Sequence, residues 1–98
     1  MQIARWFGQY RRLFDLRRPV RLHLVDVAEQ MYGCFYVGEK EDLIVLNRAI
    51  AVTEEEVRST LLHELIHAEQ HGKGLHLDHD DYFNRRAAEL QALKGIAP

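Results

Sequence analysis

The sequence predicts an α+β domain in which helices pack on one face of a three-stranded antiparallel sheet. Three observations support this fold class. Apolar residues recur at helical spacing over residues 3–14, short apolar stretches follow over 20–47, and helical patterns return after residue 53. The predicted order is one helix, three strands and two helices, in a single domain that spans residues 1–98.

The first helix is predicted from Ile3 to Phe14, because apolar and aromatic side chains form one face there. The next three apolar stretches, at 20–27, 31–37 and 43–47, predict strands. Since these stretches follow one another closely, the sequence predicts a meander in which each strand pairs antiparallel with the next.

Two further helices are predicted after the strands. Thr53 and Glu56 fit a capping box, in which each side chain bonds the backbone N–H of the other residue. The last helix is predicted over Asp80–Lys94, with four apolar side chains directed at the core and Gly95 at its end. Those four side chains are Phe83, Ala87, Leu90 and Leu93.

The composition indicates a globular protein, since 47% of the residues are hydrophobic. A single cysteine, Cys34, excludes an internal disulfide and a cysteine-rich zinc site. The first residues lack the apolar stretch of a signal peptide, and no stretch approaches the roughly 20 apolar residues of a membrane helix. The sequence therefore predicts a cytoplasmic protein without a membrane segment.

Charge is distributed unevenly along the chain. Residues 1–21 carry a net charge of +5 and the remaining residues carry −7, which gives the overall net charge of −2. The basic N-terminal helix suggests a weak contact with DNA through its phosphate groups. The alternative interpretation is a solvated helix face attracted by the acidic remainder of the chain.

The strongest local motif is HELIH at residues 63–67, which fits the pattern H-E-x-x-H. On a helix, residues four positions apart lie on the same face, so the imidazoles of His63 and His67 can bind one zinc ion. Glu64 borders that face and is predicted to act as the general base that takes a proton from a zinc-activated water. Two histidines on an exposed helix face are the alternative interpretation.

A third zinc ligand is expected after this motif. His79 is favoured because it lies where the last helix should begin, which would hold it at a defined position. Glu89, within that helix, is the main alternative. The remaining candidates are His71, His76, Asp78, Asp80 and Asp81. From the residues alone, the choice among them stays open.

The pattern resembles the SprT-like zinc metallopeptidases. In that family, H-E-x-x-H is followed about a dozen residues later by a histidine and, four residues further, by an aromatic residue. Those positions hold His79 and Phe83 here. A short strand that ends in a Leu-Asn pair commonly precedes the metal helix, as Leu46 and Asn47 do here.

This resemblance implies a zincin-like fold with one Zn²⁺ bound by His63, His67 and His79. It implies peptide-bond hydrolysis with Glu64 as general base, and a protein or peptide as substrate. Related proteins act on proteins that are bound or crosslinked to DNA.

Two other functions fit the same residues. A glutamate-ligand peptidase would use Glu89, because residues 89–92 have the E-x-x-A form of several such families. A non-catalytic, zinc-stabilised binding module would have four protein ligands and no open position.

For catalysis, we expect an oxyanion donor among Tyr32, Tyr36 and Tyr82. The last strand, if it lies at the sheet edge, is expected to bind substrate by strand addition.

Overall fold

A computed structural model describes residues 1–98 of the chain and confirms the α+β class, with three α-helices and three strands. The elements are, in order, α1 (Ile3–Tyr10), β1 (Val20–Val25), β2 (Gly33–Tyr36), β3 (Asp42–Asn47), α2 (Glu54–Gly72) and α3 (Asp81–Lys94). A 3-10 turn at Arg11–Leu13 directly follows α1. The predicted first helix is thus an α-helix with a tighter last turn.

The predicted antiparallel meander is wrong. The strand order is β1-β3-β2, with β3 parallel to β1 and antiparallel to β2, so the sheet is mixed and its last strand is central. The physical reason is the uninterrupted apolar run in β3, where Ile44, Val45 and Leu46 are all buried. A strand that is covered on both faces belongs in the middle of a sheet.

The connection between β1 and β2 shows how the chain reaches this order. Residues 26–32 cross the end of β3, where the buried side chain of Asn47 binds them. Its Oδ1 accepts from the Val27 N–H at 3.1 Å, and its Nδ2 donates to the carbonyls of Val27, Glu29 and Met31 at 3.1–3.2 Å. Asn47 therefore holds the crossover in place and separates the two edge strands.

The starts of α2 and α3 follow the capping rules. At the start of α2, the Glu56 N–H donates to Thr53 Oγ1 at 3.1 Å and the Thr53 N–H donates to Glu56 Oε1 at 3.0 Å, which confirms the capping box. At the start of α3, the Phe83 N–H donates to Asp80 Oδ1 at 3.1 Å. The third helix thus begins one residue later than predicted, with Asp80 as its N-cap.

Helix α2 lies at the centre of the core and packs against α1, α3, β2 and β3. The core contains 17 buried hydrophobic residues, five of them fully buried on α2: Val57, Leu61, Leu62, Leu65 and Ile66. From α3, Phe83 and Leu90 are buried and Ala87 packs at the edge of the core, whereas Leu93 is exposed, contrary to the prediction. None of the helices combines the length and the apolar character that a membrane crossing requires.

Candidate metal centre

Three histidines meet at the surface of α2. His63 and His67 project from the same face of the helix, and His79 reaches them from the residue before the N-cap of α3. The Nε2 atom of His79 lies 3.1 Å from Nε2 of His63 and 3.2 Å from Nε2 of His67. The nitrogens of all three residues lie within 4.8 Å of one another. The structure thus brings together the three residues that the sequence predicted as ligands.

Hydrogen bonding alone does not explain this arrangement. His67 Nδ1 lies 2.8 Å from the Gln70 side-chain oxygen, which can only accept, so Nδ1 carries the proton and Nε2 presents a lone pair. His79 Nε2 faces this lone pair and also His63 Nε2. Since each neutral imidazole nitrogen has one proton or one lone pair, at most one of these two contacts is a well-aligned hydrogen bond. A cation between the nitrogens would satisfy all three.

These two nitrogen–nitrogen distances are compatible with a tetrahedral metal ion such as zinc. Two nitrogens bound at 2.0–2.1 Å to a tetrahedral ion lie about 3.3 Å apart, close to the observed 3.1 and 3.2 Å. The Phe83 ring packs against the three imidazoles, with centroid distances of 4.6–5.1 Å. This apolar floor limits access of water from the side of α3.

Burial favours the neutral form of the two histidines on α2. Burial, with a smaller contribution from the two neighbouring histidines, lowers the pKa of His63 to about 4. Burial also lowers the pKa of His67. Both imidazoles are therefore uncharged at neutral pH, which is the form that binds a metal ion.

Glu64 lies beside the cluster in a nearly dry environment. Glu64 is only 7% exposed, and burial raises the pKa of its carboxyl group to about 7. A carboxyl group with a pKa near neutrality can both accept and release a proton under working conditions. Burial thus brings the pKa of Glu64 close to neutral pH.

A cleft of about 540 Å³ opens next to His63 and Glu64. Tyr32 and Gly33 form part of one wall. A Cβ at Gly33 would lie 2.6 Å from the Val45 carbonyl oxygen and 2.7 Å from Thr60 Cγ2, so only glycine allows β2 to pass this close to its neighbours. The other lining residues are Met31, Glu55, Glu56, Ser59, Thr60, Ala97 and Pro98.

The segment after α3 forms the far side of this cleft. Gly95 ends the helix in the left-handed region, with φ of 71°, and turns the chain back towards α2. Ile96 then enters the core, and the Ser59 hydroxyl donates to the Ala97 carbonyl at 2.5 Å.

The structure does not bring Glu89 to the histidines. Glu89 lies on the exposed side of α3, where its carboxylate accepts from Arg86 Nη1 at 2.8 Å. His71 lies one turn beyond His67, but its Nδ1 faces the buried carboxylate of Asp42 at 3.4 Å. The buried Nδ1 atom makes no hydrogen bond to this carboxylate. Both residues lie apart from the three-histidine group.

The remaining ligand candidates also lie outside the group. The Asp80 side chain caps α3, and the Asp78 carbonyl accepts from Gln70 Nε2 at 2.9 Å. The other two candidates, His76 and Asp81, are exposed. Among all candidate third ligands, His79 alone joins the two motif histidines.

The three candidate tyrosines occupy different surroundings. The Tyr82 hydroxyl donates to the Glu69 carboxylate, and Tyr36 is exposed and does not line the cleft. Tyr32 lines the cleft together with His63 and Glu64. Of the three, only Tyr32 is placed to reach a ligand in the cleft.

Sequence reasoning missed two buried polar residues on α2. Gln70 contacts His67, and Glu69 accepts from Arg86 Nε at 2.9 Å and from the Asp15 N–H at 2.8 Å. A signal for Gln70 was present, since a residue three positions after a ligand is a neighbour on the helix surface. No local pattern pointed to Glu69, whose partners lie far away in the sequence.

The geometry agrees with a comparison of the chain with known families. The model of the SprT-like family matches residues 3–98, almost the whole chain. The chain belongs to the SprT-like family. The match extends well beyond the motif residues and includes α1 and the segment after α3. No curated protein and no solved structure matches this SprT-like chain.

Proposed function

We propose that this SprT-like protein is a zinc-dependent metallopeptidase with a zincin-like fold. The observation that carries the proposal is the convergence of three imidazoles beside a buried carboxyl group with a raised pKa, at the side of an open cleft. His63, His67 and His79 would hold the zinc ion. When bound, the ion supplies Lewis-acid activation of a water molecule and of a peptide carbonyl near neutral pH.

The chain's own residues perform the proton transfers. The Glu64 carboxylate takes a proton from the attacking water and passes it to the leaving amine, so one group serves as base and then as acid. Tyr32 is the candidate donor to the oxyanion, because its side chain lines the cleft with Glu64. The Phe83 ring and the surrounding core keep bulk water away from the inner side of the site.

The site supports this function better than the two alternatives. A structural zinc site closes with four protein ligands, whereas only three ligand residues converge here. A zinc ion held by these three residues would keep one position for water or substrate. The glutamate-ligand peptidase requires Glu89 at the metal, but its carboxylate is bound to Arg86 on the outer side of α3.

Substrate binding by strand addition would use β2 rather than the last strand. Because β3 is central, its edges are already paired, while β2 has one free edge. Gly33 of β2 lines the cleft beside the metal site. An extended peptide paired with this edge would be read mainly through its backbone.

A substitution at Glu64 tests the proposal. The Glu64→Gln protein should retain zinc and fold but lose activity towards casein by about 10²–10⁴-fold, because an amide cannot take the water's proton. Zinc content is measured by elemental analysis of the same samples. Glu89→Gln is the matched control and should retain both zinc and activity. Wild-type activity in Glu64→Gln would refute the assignment, and zinc loss in Glu89→Gln would favour the glutamate-ligand alternative.

A weak DNA contact through α1 and the turn after it is a second proposal. Arg5, Arg11 and Arg12 are exposed and make no ion pair with a carboxylate, whereas Arg17 pairs with Asp15. Replacing the three unpaired arginines by glutamine should abolish binding to DNA near 50 mM salt without changing zinc content. The control replaces Arg17, whose charge is already compensated. Absence of binding by the wild-type protein would show that the charge asymmetry has no role in DNA recognition.

A further inference from the structure

Gln70 occupies an unusual position for an amide side chain. The residue is fully buried on α2, one turn beyond His67, and all of its side-chain contacts lead to the two halves of the metal site. Its Oε1 contacts His67 Nδ1 at 2.8 Å. Its Nε2 donates to the Asp78 carbonyl at 2.9 Å and lies 3.4 Å from Asp80 Oδ1. The amide thus connects the helix that carries two histidines with the segment that carries the third.

The orientation of the amide follows from its partners. A backbone carbonyl can only accept, so the Gln70 NH₂ group must face Asp78 and the oxygen must face His67. The oxygen in turn requires a proton on His67 Nδ1. This proton directs the lone pair of Nε2 at the other two imidazoles, which is the tautomer needed for binding through that nitrogen.

The bond to Asp78 has a separate consequence for His79. Asp78 directly precedes His79, and Asp80, which Gln70 also approaches, caps α3. Residues 73–80 contain no helix or strand, so few backbone bonds define the path of this connection. Gln70 therefore holds this connection in place next to His79, whose imidazole must reach His63 and His67.

We infer that Gln70 is a positioning residue of the metal centre, which fixes the tautomer of His67 and the placement of His79 together. The inference rests on the proposed metal site. Groups that hold a metal ligand in position typically change metal affinity by about 10–100-fold when removed. The expected effect of losing both bonds lies in that range.

Two substitutions separate the two bonds. In Gln70→Met, a side chain of similar length makes neither bond, so zinc affinity should fall about 10–100-fold. In Gln70→Glu, the carboxylate still accepts from His67 Nδ1 but cannot donate to Asp78, so the tautomer should be kept while zinc affinity falls. Gln91→Met, at an exposed position of α3, is the control for the methionine substitution and should bind zinc like wild type.

Two measurements read the outcome without any substrate. Competition with a chromophoric chelator gives zinc affinity, and long-range ¹⁵N NMR of the metal-free protein shows which nitrogen of His67 carries the proton. We expect the proton on Nδ1 in wild type and Gln70→Glu, and a mixture in Gln70→Met. A purely structural role would leave this tautomer unchanged.

The inference is overturned if metal-free wild type carries the His67 proton on Nε2, or if Gln70→Met binds zinc within twofold of wild type. If Gln70→Met does not fold, two other results test the inference. The His67 proton of the metal-free wild type must lie on Nδ1, and Gln70→Glu must bind zinc more weakly than wild type. A wild-type protein that binds zinc but cleaves no peptide would contradict the proposed peptidase and leave the role of Gln70 intact.

Discussion

Replacing Arg86 by methionine tests the buried charge network between α2 and α3. Arg86 Nε donates to the buried Glu69 carboxylate at 2.9 Å, and Arg86 Nη2 donates to the Leu13 carbonyl at 2.8 Å. The Arg86→Met protein keeps much of the apolar stem but leaves the Glu69 charge without its cation. Since the Arg86 side chain is 17% exposed and that of Glu69 3% exposed, water can do little to compensate.

The expected loss lies near the lower limit for breaking a buried pair, which is about 3–5 kcal/mol. Two neutral donors remain on Glu69, namely the Asp15 N–H at 2.8 Å and the Tyr82 hydroxyl. Burial and the adjacent carboxylate raise the pKa of Tyr82 to about 12, so this hydroxyl stays protonated. A loss of about 3 kcal/mol corresponds to a Tm decrease of about 12–24 °C for a chain of this size.

Urea unfolding of the metal-free proteins measures this loss directly. The control is Arg85→Met, the neighbouring exposed arginine, which should change the free energy of unfolding by less than about 0.5 kcal/mol. The double variant Arg86→Met/Glu69→Leu should recover part of the stability, because it leaves no buried charge, although the Asp15 N–H and the Tyr82 hydroxyl lose their acceptor. A loss below about 1 kcal/mol in Arg86→Met would refute the reasoning.

Four further outcomes are expected at the metal site and its cleft. His79→Ala should lose zinc by elemental analysis while His76→Ala retains it, and equal retention would contradict His79 as ligand. In the metal-free protein, the pKa of Glu64 is raised by burial from its ordinary 4.5 to about 7, so unfolding stability falls as pH rises across that interval. Urea titrations should therefore show Glu64→Gln gaining up to about 3 kcal/mol relative to wild type over that interval; a constant difference would contradict it. Burial lowers the pKa of His63 from its ordinary 6.5 to about 4. Its effect on the pH dependence of stability is therefore opposite to that of Glu64, and the contribution of His63 to the stability of the folded protein increases as the pH rises from 4 to 6.5. Removing residues 97–98, which line the cleft, should lower KM for a peptide substrate with zinc content unchanged, and an unchanged KM would show that they do not obstruct it.

Local patterns predicted the parts of the molecule that depend on neighbours in the sequence. The spacing of His63 and His67 fixes their common helix face, and the capping box needs only Thr53 and Glu56. The place of His79 followed from the resemblance and from the expected start of α3. For the two motif histidines and for the capping box, the relevant geometry is set within a few residues.

The sheet order and the buried polar residues could not be derived in this way. The Asn47 side chain binds the crossover between β1 and β2, and its partners in that segment lie 16–20 residues away in the sequence. Glu69 and Gln70 look like solvated helix residues in the sequence, and only their distant partners make burial favourable. Leu93 shows the converse, since an apolar residue at helical spacing is exposed when no element covers it.

The central position of β3 also has a consequence for the order in which the chain folds. During synthesis, both edge strands are complete before the strand that joins them, so no part of the sheet can form until β3 has been made. The β2–β3 hairpin closes over five residues, whereas β1 pairs with β3 across 22 positions, as at Val20 and Asp42. Because closing the longer loop costs more entropy, we expect the hairpin to form first and β1 to join late. Low φ-values at Leu22 in β1 with high values at Phe35 in β2 would reveal this order, and the reverse would contradict it.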